Sequence, residues 1–119
     1  METRTVSSAK DTVLSFLRAL NADDFQQARK YVSDNLSFVG VLGKRNGANE
    51  YFKSMEKLQF KYDIKKVFAD GNDVCVWYEI NMNGTNVLTC GWYKVKDEKI
   101  ESFQVVFDPR PVLENAPKQ

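Results

Sequence analysis

The chain has 119 residues, enough for one domain of ordinary size, and its 43% hydrophobic and 28% charged residues are normal for a globular protein. Its 17 basic and 16 acidic residues leave a net charge of +1, which gives no long-range field to attract nucleic acid or an anionic membrane. The absence of histidine excludes imidazole general bases, histidine-dependent triads and histidine-ligated metals, so any acid–base chemistry would fall to Asp, Glu, Tyr, Lys or Cys.

The beginning of the chain and its hydropathy predict the cellular location. Met1–Asp11 is polar and lacks the apolar segment of a signal peptide. No stretch approaches the roughly 20 apolar residues that span a bilayer. We therefore expect a cytoplasmic protein with no membrane or nucleic-acid partner, in which Cys75 and Cys90 are free thiols. Isolated cysteines and singly scattered glycines also predict no metal site, no phosphate-binding loop and no cofactor.

Three segments are predicted to form helices, because apolar residues recur in them at the spacing of one helix face. The predicted helices are Ser7–Leu20, Phe25–Val32 and Ala48–Leu58. Short polar side chains precede the first two, and Ser7 or Ser8 and Asp23 or Asp24 are suited to cap their N-termini.

A short apolar strand, Leu36–Val41, and a loop, Gly43–Gly47, separate the second and third helices. The adjacent cations in that loop, Lys44 and Arg45, are interpreted as solvated surface and not as a phosphate site. After the third helix, runs of strand-forming residues alternate with turn signals. The predicted strands are Phe60–Ala69, Asp73–Met82, Asn86–Val95 and Lys99–Asp108, and three prolines mark residues 109–119 as an extended tail.

The dipeptide Asn83-Gly84 lies between two of these strands and is a strong signal for a two-residue hairpin turn. That turn would pair Tyr78 with Thr89, Val76 with Gly91, Trp77 with Cys90 and Cys75 with Trp92. Because alternate side chains of a strand point to opposite faces, both tryptophans and both cysteines would share one face of the sheet.

The order of elements predicts an α+β fold in which three N-terminal helices pack on one side of a curved, mainly antiparallel sheet. We find no repeat, linker or low-complexity tract and therefore predict one domain over residues 1–119. Its core would span about residues 7–108, and the tail would follow.

Three strings carry a resemblance to a known superfamily. Val13–Asp24 (VLSFLRALNADD) resembles the end of the first helix and the start of a short second one, Tyr31–Gly43 (YVSDNLSFVGVLG) the strand that enters a pocket, and Gly84–Phe107 the last strand pair. Over about residues 7–108 the chain resembles the nuclear transport factor 2-like superfamily, also called the SnoaL-like or cone-shaped α+β fold. The superfamily includes isomerases, cyclases, dehydratases, epoxide hydrolases and binding proteins, so the fold alone does not choose a function.

The resemblance also implies chemistry for which this sequence lacks the residues. The carboxylate base, oxyanion tyrosine and protonated aspartic acid of the ketosteroid isomerase branch align with Gly40, Phe16 and Gly91, none of which moves a proton. The SnoaL-like cyclases commonly combine a carboxylate with histidine, which is absent here. The epoxide hydrolases use an Asp-Arg-Asp network, whereas the arginines of this chain lie outside the predicted central strands. We therefore expect neither ketosteroid isomerase-type nor histidine-dependent chemistry.

The alternation of side chains along the strands and the resemblance both place one set of side chains toward the helices. There we expect an apolar cavity, at the wide end of the cone. The expected lining is Phe16, Leu20, Phe38, Gly40, Phe52, Met55, Val76, Tyr78, Ile80, Thr89, Gly91, Tyr93, Phe103, Val105 and Phe107. Apolar walls with a few polar groups are typical of a small-molecule site. The alternative is that these residues simply form the core.

Three functions remain open from the sequence. The first is a protein that binds an apolar small molecule without conventional acid–base residues. The second is an isomerase, cyclase or lyase acting through Tyr78, Tyr93 or Glu101, the last of which shares strand parity with Phe103 and Val105. The third is a dimerisation or protein-interaction module with a filled interior.

The opposite face of the sheet is predicted to mediate a homodimer, because two tryptophans there would otherwise stay in water. The residues expected at this interface are Cys75, Trp77, Leu88, Cys90, Trp92 and Val106. Dimerisation through this face is also what the resemblance implies. The alternative is that the C-terminal tail folds back over it.

Overall fold

The computed structural model describes residues 8–114. Its elements are α1 (Ala9–Asn21), α2 (Phe25–Arg29), β1 (Val32–Val39), β2 (Lys44–Asn46), α3 (Ala48–Leu58), β3 (Lys61–Asp70), β4 (Asp73–Met82), β5 (Thr85–Lys96), β6 (Lys99–Phe107) and α4 (Arg110–Glu114). Among the described residues, no helix has both the length and the apolar character needed to cross a lipid bilayer.

The six strands form one sheet in the order β2-β1-β6-β5-β4-β3. Only β1 and β6 run parallel; every other neighbouring pair is antiparallel. Helix α1 lies across β3 to β6, and α3 lies against β1 and β2. The predicted α+β architecture, with helices on one side of a curved, mainly antiparallel sheet, is confirmed.

Helix α1 shows why the sequence folds in this way locally. The Ser8 hydroxyl accepts a hydrogen bond from the backbone N–H of Asp11, and this bond caps the helix. One helical stripe, which includes Val13, Phe16 and Leu17, is completely buried against the sheet. Of the two predicted capping serines, Ser8 is therefore the one that caps.

The β4–β5 hairpin has the predicted register. Met82 faces Thr85 across a two-residue turn, and all four pairs derived from Asn83-Gly84 are present. Both turn residues have positive φ (55° and 95°), as a type I′ turn requires. The side chains of β4 and β5 consequently lie on the faces that the sequence predicted.

The second helix is shorter than predicted, because Val32, its predicted last residue, belongs to the sheet. Helix α2 ends at Arg29, and Val32 begins β1 as a completely buried residue paired with Ile100. The Arg29 guanidinium donates to the carbonyl of Val32 and to the carboxylate of Asp34. Strand pairing and burial therefore override the helical spacing of the sequence.

Two segments that were predicted to be irregular have regular structure. The predicted loop Gly43–Gly47 contains strand β2, whose Arg45 pairs with Phe38 of β1. The predicted extended tail begins with α4, where the N–H of Leu113 donates to the carbonyl of Pro109 over 2.9 Å. Both corrections change the site, because β2 and α4 each supply part of its wall.

Candidate functional site

A cavity of about 310 Å³ lies between the inner face of the sheet, α3 and α4. Its walls are Phe38, Gly40, Val41, Leu42, Gly43, Arg45, Tyr51, Ser54, Met55, Leu58, Phe60, Tyr62, Ile80, Met82, Asn83, Val105, Phe107 and Val112. Most of these side chains are apolar, and the polar ones are few. This is the composition of a small-molecule site near the lower end of the usual size range.

Six of the fifteen residues that we expected to line a pocket are at this cavity: Phe38, Gly40, Met55, Ile80, Val105 and Phe107. They come from β1, the segment that follows it, α3, β4 and β6. The curved sheet thus brings together residues from distant parts of the chain at the wide end of the fold.

The other nine expected residues are packed behind the cavity: Phe16, Leu20, Phe52, Val76, Tyr78, Thr89, Gly91, Tyr93 and Phe103. Aromatic rings fill the volume there. Tyr93 stacks on Phe103 at 4.6 Å between ring centroids, and Phe16 contacts both rings edge-on. The cavity is consequently smaller than the expected lining implied, and its inner end is closed by an aromatic cluster.

Tyr78 and Tyr93, two of the candidate catalytic residues, form a closed pair. Their hydroxyl oxygens are 2.6 Å apart, and the side chains are 0% and 1% exposed. Burial raises the pKa of both phenols well above the ordinary value, so both stay neutral. Because neither residue lies at the cavity wall, a ligand in the cavity does not contact them.

Gly40 and Gly91, at which the resemblance leads us to expect carboxylates in related enzymes, have different surroundings. At Gly91, an added Cβ would lie 2.4 Å from the Tyr78 hydroxyl, so the tyrosine occupies the space that this glycine leaves. At Gly40, an added Cβ would lie 3.1 Å from the edge of the Phe38 ring. Gly40 therefore lies against a side chain of the cavity wall, whereas Gly91 accommodates the core.

The expectation that Glu101 reaches the pocket rim is corrected by a bulge in β6. Lys94 pairs with Ser102 and Val95 with Ile100, which leaves Glu101 without a partner. One extra residue shifts the alternation, so Ile100 and Phe103 are both buried and Glu101 is exposed. Strict alternation of side chains from Phe103 back to Glu101 therefore places Glu101 on the wrong face of the sheet.

Thr89 was a further candidate for ligand contact because a buried hydroxyl needs a partner. It is 1% exposed, and its hydroxyl donates to the carbonyl of Val87 over 3.0 Å. The hydrogen bond lies within its own strand. Because Thr89 is buried and does not border the cavity, a ligand there would not contact its hydroxyl.

Sequence reasoning missed the polar residues that border the cavity: Arg45, Ser54, Tyr51, Tyr62 and Asn83. The Arg45 Nε–H donates to the Ser54 hydroxyl over 3.0 Å. Burial raises the pKa of Tyr51 and Tyr62 well above the ordinary value, so both remain neutral hydroxyls. The interpretation of Arg45 as solvated surface holds only in part, because this residue is half-buried at the cavity wall.

The outer face of the sheet, defined by Cys75, Trp77, Leu88, Cys90, Trp92 and Val106, gathers the residues predicted for a dimer interface. Trp77 and Trp92 are 43% and 44% exposed, and Leu88 and Val106 more than half. Phe68 of β3 extends the patch, since it pairs with Cys75. Both cysteines are half-buried free thiols. Helix α4 lies on the other side, where Val112 borders the cavity, so residues 109–114 do not cover this face.

Within the part of the chain that the structure describes, no group of three or more Cys, Asp and Glu residues is arranged to hold a metal ion. No carboxylate is among the described residues at the cavity wall. The described wall residues therefore offer apolar contact and hydrogen bonding from the Arg45 guanidinium, the Asn83 amide and the hydroxyls of Tyr51, Tyr62 and Ser54.

The comparisons with known proteins agree with this architecture. Residues 13–103 match the family model of the SnoaL-like domain. A solved structure from Cytophaga hutchinsonii, an NTF2-like protein of unknown function, is 42% identical; the match covers 95% of this chain and 99% of that one, with a TM-score of 0.88. No curated protein matches the chain.

Two more distant structures show likeness in fold alone. An LEH-like epoxide hydrolase from M. tuberculosis is 23% identical, over 89% of this chain and 86% of that one, with a TM-score of 0.77. A candidate SnoaL-like polyketide cyclase from Shewanella denitrificans is 16% identical, over 89% of this chain and 94% of that one, with a TM-score of 0.76. Different activities thus accompany one fold among these similar structures.

Proposed function

The chain belongs to the SnoaL-like domain family, and from that premise we propose that it binds an apolar small molecule in the cavity of about 310 Å³. The observation that carries this proposal is an open volume whose walls come from five strands and two helices and are mostly apolar. An interior filled by side chains, as a pure interaction module would have, does not provide such a volume.

The nature of the walls supports binding. Aromatic and thioether side chains, among them Phe38, Phe60 and Met55, offer extensive apolar contact. The hydroxyls of Tyr51 and Tyr62 provide the small number of polar contacts that usually orient a ligand.

The same walls favour binding over acid–base catalysis. Among the described wall residues there is no carboxylate and no thiol that could transfer a proton. The alternative, an isomerase, cyclase or lyase acting through Tyr78, Tyr93 or Glu101, requires these groups to touch a substrate. Two of them are sealed in the core, and the third is on an exposed bulge.

A neutral fluorescent dye, N-phenyl-1-naphthylamine, tests the proposal. We expect saturable binding to the wild-type protein and at least about tenfold weaker binding to Val105→Phe, whose ring would enter the cavity. Val106→Phe is the matched control: it makes the same change at the next residue, which is 53% exposed on the outer face. Absence of saturable binding, or equal binding by both variants, would reject the cavity as the binding site.

We further propose that the outer face joins two copies of the chain in a homodimer. The four long strands, about 4.8 Å apart and about 30 Å long, present a face on the order of 600 Å², near the ~800 Å² that each partner of a stable complex buries. The face also carries both signs of charge: Asp73 accepts a hydrogen bond from the Trp92 indole, and Lys94 lies over the ring of Trp92. In a twofold-symmetric interface the same patch occurs on both copies, so a face that carries both signs of charge can be complementary to itself.

A further inference from the structure

One cation borders the apolar cavity. Arg45 is the single charged residue among the described wall residues. It lies opposite Phe38 in the β1–β2 pair, so both side chains are on the cavity side of the sheet. Strand β2 therefore presents a guanidinium to a space whose other walls are mostly apolar.

The hydrogen bonds of Arg45 leave capacity for a ligand. A guanidinium has five N–H donors. One donates from Nε to the Ser54 hydroxyl over 3.0 Å, and one from Nη1 to the Lys44 carbonyl over 2.8 Å. The remaining three have no hydrogen-bond partner among residues 8–114, and the ion pairs of this part of the chain all involve other residues. These two bonds hold the guanidinium in place and leave donors for a planar, bidentate acceptor.

Exposed apolar side chains at the edge of the cavity indicate that the rest of the ligand is apolar. Val41, Leu42 and Leu58 border the cavity and are 42%, 56% and 37% exposed. An apolar ligand would cover part of this surface on entry. A single arginine balances one negative charge. The parallel N–H groups of its planar guanidinium, here called the fork, match the two oxygens of a carboxylate.

We propose that the ligand of this cavity is an amphipathic monocarboxylate, its apolar part inside the cavity and its carboxylate bound to Arg45. This inference rests on the proposed function and adds the class of ligand. Ser54 is a positioning residue, since it contacts the guanidinium through Nε. The apolar part is either an aliphatic chain or an aromatic ring system.

The test is displacement of N-phenyl-1-naphthylamine at neutral pH by two matched pairs of compounds. Octanoate and 1-octanol represent the aliphatic ligand, and 1-naphthoate and 1-naphthalenemethanol the aromatic one. We expect the acid of at least one pair to bind about tenfold more tightly than its alcohol. The pair with the larger preference identifies the apolar part.

Substitutions test whether the preference for the acid over its alcohol depends on the Arg45 guanidinium. Arg45→Gln removes the charge and should abolish the preference without weakening the binding of the alcohol. Arg45→Lys keeps the charge without the fork and should retain part of the preference. Lys44→Gln, a change of the exposed neighbouring cation, is the matched control and should behave as wild type. Ser54→Ala should reduce the preference less than Arg45→Gln does.

The outcomes separate the two proposals. Acids and alcohols that displace the dye equally well, or a preference that survives Arg45→Gln, would overturn the carboxylate inference and leave apolar binding standing. Failure of the dye and of all four compounds to bind would overturn the proposed function itself. Circular dichroism and thermal unfolding of each variant establish that it is folded.

Discussion

The hydroxyl oxygens of Tyr78 and Tyr93, on adjacent strands, lie 2.6 Å apart at the centre of the core. Gly91 makes this contact possible, because any side chain there would meet the Tyr78 hydroxyl and the Tyr93 ring. The pair belongs to the buried cluster that lies behind the cavity and closes its inner end. Gly91 is thus part of a structural unit with Tyr78 and Tyr93.

Substitution of Gly91 should destabilise the fold. In Gly91→Ala the new Cβ would lie 2.4 Å from the Tyr78 hydroxyl, so the tyrosine or the strand must shift. Overpacking of this kind costs about 1–3 kcal/mol, measurable as a lower free energy of unfolding in urea. In the control Gly43→Ala, the new Cβ is at an ordinary 3.6 Å from Arg45. Equal stability of the two variants would contradict this account of Gly91.

The tyrosine pair should behave as one unit. Tyr78→Phe and Tyr93→Phe each leave the partner hydroxyl buried without its hydrogen bond, at a cost of about 1–3 kcal/mol. The double variant removes both hydroxyls and should cost little more than either single one, so the double-mutant cycle has a large coupling energy. Strictly additive free energies of unfolding would show that the hydroxyls do not stabilise one another.

High pH should destabilise the folded chain through its tyrosines. Burial raises the pKa of Tyr51, Tyr62, Tyr78 and Tyr93 above its ordinary value of 10. The unfolded chain ionises these phenols from about pH 10, whereas the folded chain keeps them neutral. The free energy of unfolding is therefore unaffected by them below about pH 10 and falls as the pH rises above it.

Ultraviolet absorbance of tyrosinate during an alkaline titration measures this effect. Most of the signal of the five tyrosines should appear late and together with unfolding. Full ionisation near pH 10 in a chain that is still folded would contradict the burial of the four phenols.

Much of the fold was predictable because short-range signals determined it. The turn residues Asn83 and Gly84 determined the register of β4 and β5, and with it the face of every side chain on both strands. Ser8 and Asp24 cap helices as their chemistry predicts. These features depend on residues within a few positions of one another, which one sequence displays directly.

The cavity was less predictable because packing between distant segments determines it. The bulge at Glu101 depends on how β6 pairs with β5, and one extra residue invalidated the parity count. Likewise, whether Tyr93 and Phe103 line a cavity or fill it depends on the stacking of their rings. Arg45 was overlooked because a strand of three residues between two glycines resembles a loop.

The proposed dimer should depend on the outer-face tryptophans. Trp77→Glu/Trp92→Glu introduces charges where the apolar face is expected to be buried between two copies, so the dimer should dissociate. Size-exclusion chromatography with light scattering measures the mass. Leu113→Glu, a charge at a residue 57% exposed on α4, is the control and should stay dimeric. A monomeric wild-type protein, or a dimer that survives the double substitution, would contradict the proposed interface.

The binding site can be located directly with methyl and indole signals in NMR. Of the three methionines, Met55 and Met82 both border the cavity, whereas both tryptophans lie on the outer face. On titration with N-phenyl-1-naphthylamine, we expect the methyl signals of Met55 and Met82 to shift in a saturable way while the indole N–H signals of Trp77 and Trp92 stay in place. Shifts confined to the indoles, or no shift of either methyl, would contradict a ligand-binding cavity.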